Sequence, residues 1–398
     1  MILILILLIF NTDTLNISLE QALDIARRSP DYNISQLDRR EGDIRLGQGI
    51  SSLLPTPSLS GTYSEKTWTL SLRIDQPLLN LPLYGGFLQS LYDRRFYKAL
   101  SKEEENLLLF GVKEGYYNLI KSYGLIDVAK SALSQAEKNR DFIKKRYAVG
   151  EATKIDLLRS EVYLNQARMD LLSAEKSLKV ANQALKGILG IERDVVIRPT
   201  LRLEEPAELE VELDSLFTLA ERQNPRLISK RNSEKSASWG LFNTYTRLLP
   251  TLSGFWSKNY MGAEFPKGLD GWTSSQGIGL NLPLLNLPSI LLDMAESKTR
   301  LERVRAEEKK EEFSLRKELL DGFLSYEKAQ EKYRLAKKNL ELSKELYKLS
   351  LQKFSLGELT SLELLDTEAK LYKARQDLLS ALADTYIEKA RIEYLIGR

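Results

Sequence analysis

Glu363 and Asp366 stand three residues apart in the stretch TSLELLDTE, a spacing that puts both carboxylates on one face of a helix, and Asp156 sits in a similar, earlier stretch, ATKIDLLRSE. The chemistry open to these acids is narrow. The 398 residues contain no Cys and no His, which removes disulfides, Cys or His metal sites, Ser-His triads, thiol nucleophiles and imidazole acid–base catalysis together. Only carboxylate, Lys, Tyr or Ser/Thr chemistry remains. A carboxylate-dependent hydrolase would need a concave site, and the long heptads described below do not suggest one. The plain alternative is a set of solvated carboxylates in a Glu-rich helix.

Other signals for chemistry are weak. GIGLNL at Gly277 contains G-x-G but lacks the third glycine of a dinucleotide fingerprint, and it lies in a strand-like stretch. NIS at Asn16 and Asn33 matches the glycosylation sequon, as many chance triplets do. Lys and Arg number 58 against 55 Asp and Glu, a net charge of +3, so no basic field for nucleic acid stands out. The sequence reads as a non-enzyme without cofactor or metal.

The elements that must position the carboxylates occur twice. PLLNLP spans Pro77–Pro82 and again Pro283–Pro288, 206 positions apart (283 − 77). YAVGEATKIDLLRSE (Tyr147–Glu161) is answered by FSLGELTSLELLDTE (Phe354–Glu368) at an offset of 207 (354 − 147), which sets Gly150 against Gly357. ILG at Gly190 is answered by LIG at Gly397, LLPT at Leu53 by LLPT at Leu248, and Ser29-Pro30 by Asn224-Pro225. One unit has been duplicated, with an insertion in one loop of the second copy. Two long copies do not make a solenoid.

Each copy reads as short helix, second helix, two strands, very long helix, turn, long helix. SLEQALDIARRSP opens on a capping-box pattern, Ser18 with Gln21, and stops at Pro30. In WTLSLRID, Trp68, Leu70, Leu72 and Ile74 alternate with polar residues, the rhythm of a strand wet on one face. TPSLSGTYSE partners it through a tight SEKT connection, and TLSGFWSKNY with WTSSQGIGLNLP forms the second hairpin. No proline interrupts Tyr84 to Tyr147 or Ser289 to Phe354, so helices of roughly 95 Å are expected at 1.5 Å per residue. Leu157, Leu164, Leu171, Leu178 and Leu185 recur every seven residues beside a seam of Ala167, Ala174 and Ala181. Leu364, Leu371, Leu378 and Ile392 repeat the stripe, interrupted at Thr385, and Tyr326, Tyr333, Leu340, Tyr347 and Phe354 run the same period on the preceding helix. Large residues on one seam and small ones on the other specify close antiparallel coiled-coil packing.

Strands of roughly ten residues are long enough to cross a tilted bilayer, but an open edge cannot sit in lipid. Four strands per chain must then close with those of other chains, and three chains would supply twelve, an even number within the range of bacterial barrels. At the N-terminus, MILILILLIF is too short to span as a helix and reads as the core of an export signal, although no Lys or Arg precedes it and no A-x-A site follows. The expected organisation is residues 1–15 as a signal-peptide remnant, 16–193 as the first repeat (strands about 56–76, helices about 84–190), 194–212 as a linker or equatorial segment, and 213–398 as the second repeat (strands about 251–282, helices about 289–397).

The duplicated plan, the two glycine turns and the QPLLN strand exit resemble those of TolC-type outer membrane efflux proteins, from about Ile17 to the end of the chain. The resemblance implies a mainly α fold with a small transmembrane β-barrel portion: a homotrimer forming an α-barrel tunnel and a 12-stranded β-barrel, four strands per chain. It implies an outer membrane duct for an efflux or type I secretion system, driven by an inner-membrane pump through a periplasmic adaptor, with no reaction of its own. By the same likeness Glu363, Asp366 and Asp156 would form a negative periplasmic aperture favouring cations. The turns at Gly150 and Glu151, and at Gly357 and Glu358, would meet the adaptor, although left-handed glycines closing helical turns explain the same residues. Trp68, Leu70, Leu72 and Ile74 would face lipid. Leu359 departs from the pattern, because the family places there a basic residue that ties the closed tip together. The rival reading is a periplasmic or soluble coiled-coil scaffold whose hairpins cap a helical bundle.

Overall fold

The computed structural model describes residues 14–193, 195–206, 212–268, 270–282 and 287–398. The export-signal expectation for MILILILLIF lies outside them, as do residues 283–286 of the second PLLNLP. The elements run β1 (Thr14–Ile17), α1 (Leu19–Ala26), α2 (Pro30–Ser51), β2 (Thr56–Ser64), β3 (Thr67–Leu79), α3 (Leu81–Ala148), α4 (Lys154–Leu189), β4 (Val196–Pro199), α5 (Leu213–Gln223), α6 (Pro225–Thr246), β5 (Thr251–Gly262), β6 (Trp272–Asn281), α7 (Leu287–Ser355) and α8 (Ser361–Leu395). At the first PLLNLP the strand ends at Leu79 and the helix begins at Leu81, so the prolines mark a strand exit and a helix entry.

Local chemistry explains the paired boundaries. Ser29 Oγ accepts from the Tyr32 amide and Asn224 Oδ1 from the amides of Arg226 and Leu227, with proline as the first helical residue each time. Gly190 and Gly397 both take left-handed backbones where the last helices of the copies stop.

Two compact units divide the chain, and each draws on both copies of the repeat. One comprises residues up to Asn33, Glu104–Ala220 and Arg316–Arg398; the other comprises Ile34–Glu103 and Glu221–Leu315. In the first unit the heptad seams meet: Leu164, Leu185, Leu364, Leu371 and Ile392 are buried, with Ala167, Ala374 and Ala381 beside them and Tyr326 and Phe354 on α7. The interrupting Thr385 is wholly buried, and its hydroxyl donates to the Ala381 carbonyl at 2.9 Å, so the seam carries a polar atom that is satisfied within the helix. Lys113 to Glu393 (2.6 Å) and Lys121 to Asp384 (3.1 Å) tie α3 to α8 around it.

The same unit holds a small sheet absent from the sequence reading. β1 pairs in parallel with β4, which lies in the stretch read as a linker. Its cluster joins Ile17 and Ile197 to Tyr116, Leu119, Leu185 and Leu189, and the phenol of Tyr116 donates to the Ile17 carbonyl at 2.9 Å. Strands of four residues show no period, so only tertiary pairing reveals them.

Candidate functional site

The second unit contains a four-stranded antiparallel sheet in the order β2-β3-β5-β6, with β2 and β6 at its open edges. The two-residue turn between β2 and β3 is closed by Glu65 and Lys66, both at positive φ, the conformation whose twist matches an antiparallel hairpin. Directly paired residues share a face, so the register sorts the side chains. One face carries Leu59, Tyr63, Trp68, Leu70, Leu72, Ile74, Trp256, Tyr260, Trp272, Ile278 and Leu280, with Gln76, Lys258, Ser274 and Gln276 as polar exceptions. The opposite face carries Ser58, Ser60, Thr62, Thr69, Ser71, Arg73, Asp75, Ser257, Asn259 and Ser275, with Phe255, which stacks under Arg73, and Met261 as apolar exceptions.

The apolar face is uncovered: Leu59 is 73% exposed and Leu280 72%. At its hairpin end the aromatic rings gather, with Tyr63 against Trp68 (4.9 Å between centroids), Trp68 edge-on to Phe265 (5.2 Å) and Tyr260 against Trp272 (5.8 Å). On the polar face Arg73 binds Asp75 at 2.8 Å and Ser71 donates to Asn259 at 2.6 Å. One side of the sheet suits hydrocarbon with an aromatic rim, and the other suits water.

The first unit holds the turns. Between α3 and α4 the Glu151 amide donates to the Arg146 carbonyl (2.8 Å) and the Gly150 amide to Tyr147 (3.1 Å); between α7 and α8 Glu358 donates to Lys353 (3.0 Å) and Gly357 to Phe354 (3.2 Å). Both are Schellman closures, and φ of +83° at Gly150 and +80° at Gly357 explains the glycines. A capping box follows each. Thr153 donates to Asp156 through its hydroxyl at 2.6 Å and receives the Asp156 amide at 3.2 Å; Thr360 and Glu363 do the same at 2.7 and 3.3 Å. The repeated motif is therefore a glycine stop followed by a Thr-x-x-acid start. The threonines were legible as T-x-x-D and T-x-x-E but were not singled out.

The three candidate aperture acids occupy different surroundings. Glu363 is exposed, and the Thr360 hydroxyl and amide hold its carboxyl below the usual range. Asp156 is half-buried and held low first by the Thr153 hydroxyl, then by the Thr153 amide and the charges of Arg159 and Arg146. Asp366 is exposed and pairs with Lys370 at 2.6 Å. Glu151 reaches Arg146 at 3.4 Å, and the Arg146 guanidinium lies 5.8 Å from the ring centres of both Phe142 and Phe354. This contact joins α3 to α7 near the turn, where Leu359 offers no polar group. Ahead of each glycine a bare apolar side chain stands out: Val149 is 71% exposed and Leu356 74%.

A sheet with one greasy and one wet face, on a chain otherwise built from long coiled-coil helices, defines a membrane channel subunit. The family described as "Outer membrane efflux protein" matches residues 28–191 and 218–398, and the chain belongs to that family. Among its relatives, the alkaline protease secretion protein AprF of Pseudomonas aeruginosa is 22% identical over 347 residues, covering 84% of this chain and 70% of the relative. The cobalt-zinc-cadmium resistance protein CzcC of Cupriavidus metallidurans is 23% identical over 411 residues, covering 96% and 90%. In fold the chain is similar to the CmeC outer membrane channel of Campylobacter jejuni (TM-score 0.83, 14% identity, 95% of this chain and 85% of that one) and to the outer membrane protein VceC of Vibrio cholerae (TM-score 0.80, 15% identity, 95% and 96%). The protein is thus an outer membrane channel of the efflux and secretion type, with a periplasmic helical portion.

Proposed function

We propose that three copies pool their four strands into one closed barrel, with Trp68, Leu70, Leu72 and Ile74 toward lipid and the Ser/Thr-rich face toward a water-filled duct. The observation that carries this reading is the uncovered apolar face on a sheet whose two edges, β2 and β6, are open. Unpaired backbone groups at an edge cost several kcal/mol each in hydrocarbon, so closure by neighbouring copies is the arrangement that satisfies them. A scaffold capped by its hairpins would cover that face with protein. The aromatic cluster of Tyr63, Trp68, Tyr260 and Trp272 then sits at a membrane boundary.

The duct performs no reaction; an inner-membrane pump drives cargo through it, and a periplasmic adaptor docks on the turns. Gly150, Glu151, Gly357 and Glu358 form the backbone of that docking surface, and the exposed Val149 and Leu356 supply its apolar grip. Glu363, with Asp366 and Asp156, lines the aperture and favours cations. The capping boxes support this role for Glu363 and Asp156, because each pins an ionised carboxylate at a helix start and keeps it charged. The relatives' printed roles run from protease secretion to metal-cation resistance, and a passive exit duct fits both.

Planar-bilayer recordings test the reading. The purified protein is expected to conduct with cation preference, and E363Q/D366N to lose that preference. Unchanged ion selectivity in the double variant would reject the aperture, and absence of conductance would reject the duct.

A further inference from the structure

Five residues past Glu363, α8 buries another carboxylate. Glu368 is 5% exposed; its Oε2 accepts from the Asn139 side-chain amide at 3.2 Å, and its Oε1 is shut from solvent without a hydrogen-bond partner among the described residues. It borders a partly open cavity of about 80 Å³ lined by residues of α3, α4, α7 and α8. From α3 this cluster receives Ser131, Gln135 and Asn139, all neutral; from α4 and α7 it receives the phenols of Tyr163 and Tyr347. α8 itself adds Tyr372 and Arg375, but Arg375 donates to Ser131 Oγ at 3.2 Å, and Glu368 has no ion pair among the described residues. Asp170, on α4, acts on Tyr163 and Tyr372.

Glu368 changes charge near neutrality, and the three phenols around it do not. Burial raises the phenols of Tyr163, Tyr347 and Tyr372, which stay neutral, and pushes the Glu368 carboxyl up to about 7 against the smaller opposing effect of Asn139. As a neutral acid it gains an O–H that can donate into the cavity. As an anion it presents an unpaired charge to phenol rings and Leu371. The matching residue of the first copy, Glu161, is exposed, so the burial belongs to the second copy alone.

We propose that Glu368 is a proton-operated latch: protonated, it seats in the cluster of α3, α4, α7 and α8; ionised, it loosens the coil that carries Glu363 and Asp366. A proton is the ligand, and the carboxyl binds and releases it without any other covalent change. The bistable element is the local packing of four helices beside the α7–α8 turn.

Amide hydrogen exchange on the purified full chain, corrected for intrinsic rates, reads the latch in peptides spanning 136–143 and 361–372. In the native protein the local opening constant is expected to rise roughly tenfold per pH unit between about pH 5 and 7 and then level off, because the closed state holds a proton that the open state releases. E368Q is expected to remove the slope and stay at the protection of the acidic form, while E161Q keeps the native slope. A native profile flat from pH 5 to 8 overturns the latch whether or not E368Q assembles, and so does an unchanged slope in E368Q. Exchange needs no open pore, so this outcome is separate from a failure of the duct reading, which shows as a silent bilayer.

Discussion

The two helical turns have nearly the same backbone and quite different electrostatics. Gly150 and Gly357 close them with the same pair of amide bonds, and Thr153 and Thr360 start the next helix with the same reciprocal cap. Around that common frame, Asp156 lies half-buried under the influence of Arg159 and Arg146, whereas Glu363 is exposed and held low by Thr360 alone. Eleven residues past each glycine a glutamate recurs, solvated at Glu161 and buried at Glu368. Duplication has kept what the chain needs in order to turn and has freed the side chains to specialise. The second copy became the one able to show a bare negative charge and to hide a titrating one.

The largest effect expected from this difference is in stability against pH. The folded pKa of Glu368 is raised to about 7 from 4.5, so the folded state binds the extra proton; its contribution is fully present below about pH 4.5 and is lost as pH rises through 7. Wild type should lose up to about 3 kcal/mol relative to E368Q over that window, read as apparent melting temperature in detergent. E161Q should differ from wild type by less than about 0.5 kcal/mol at every pH. Equal pH profiles for the two substitutions would erase the distinction between the copies.

Backbone substitutions probe what the copies share. Nothing lies within 4 Å of a Cβ placed on Gly150 or Gly357, so Gly→Ala strains only the left-handed backbone, at roughly 1–2 kcal/mol for each. Similar losses at both turns are the expected result of thermal unfolding. A smaller effect, about 1 kcal/mol, is expected for Thr153→Ala and Thr360→Ala. T360A should also move the Glu363 carboxyl back up toward its ordinary range, so that cation preference in bilayers fades at a higher pH than in wild type. Smallest is the gap between single charge removals: E363Q should reduce selectivity more than D366N, because Lys370 already offsets Asp366 at 2.6 Å.

Much of the helical plan was legible in the sequence. Seven-residue seams such as Leu157 to Leu185 fix which faces meet, and the proline-free runs fix helix length, because both signals are local. The two-residue alternation at Trp68 to Ile74 likewise marked a strand that the structure extends from Thr67 to Leu79. β1 and β4 were invisible because four residues carry no period and their pairing spans 182 positions, Thr14 to Val196 (196 − 14). Glu368 was unreadable for a different reason: Glu161 and Glu368 are the same letter in the same motif. Tertiary neighbours set them apart: Asn139 from α3, Tyr163 from α4 and Tyr347 from α7 gather around Glu368.

A closed barrel requires β2 of one copy to meet β6 of the next. The chain has no cysteine, so Ser60→Cys in β2 combined with single cysteines scanned along β6 gives a clean disulfide map in outer membranes. Covalently linked trimers are expected at one register and its two-residue neighbours. Crosslinks that form only within a single chain, or no crosslinks at any register in protein that is folded and membrane-embedded, would contradict the closed barrel.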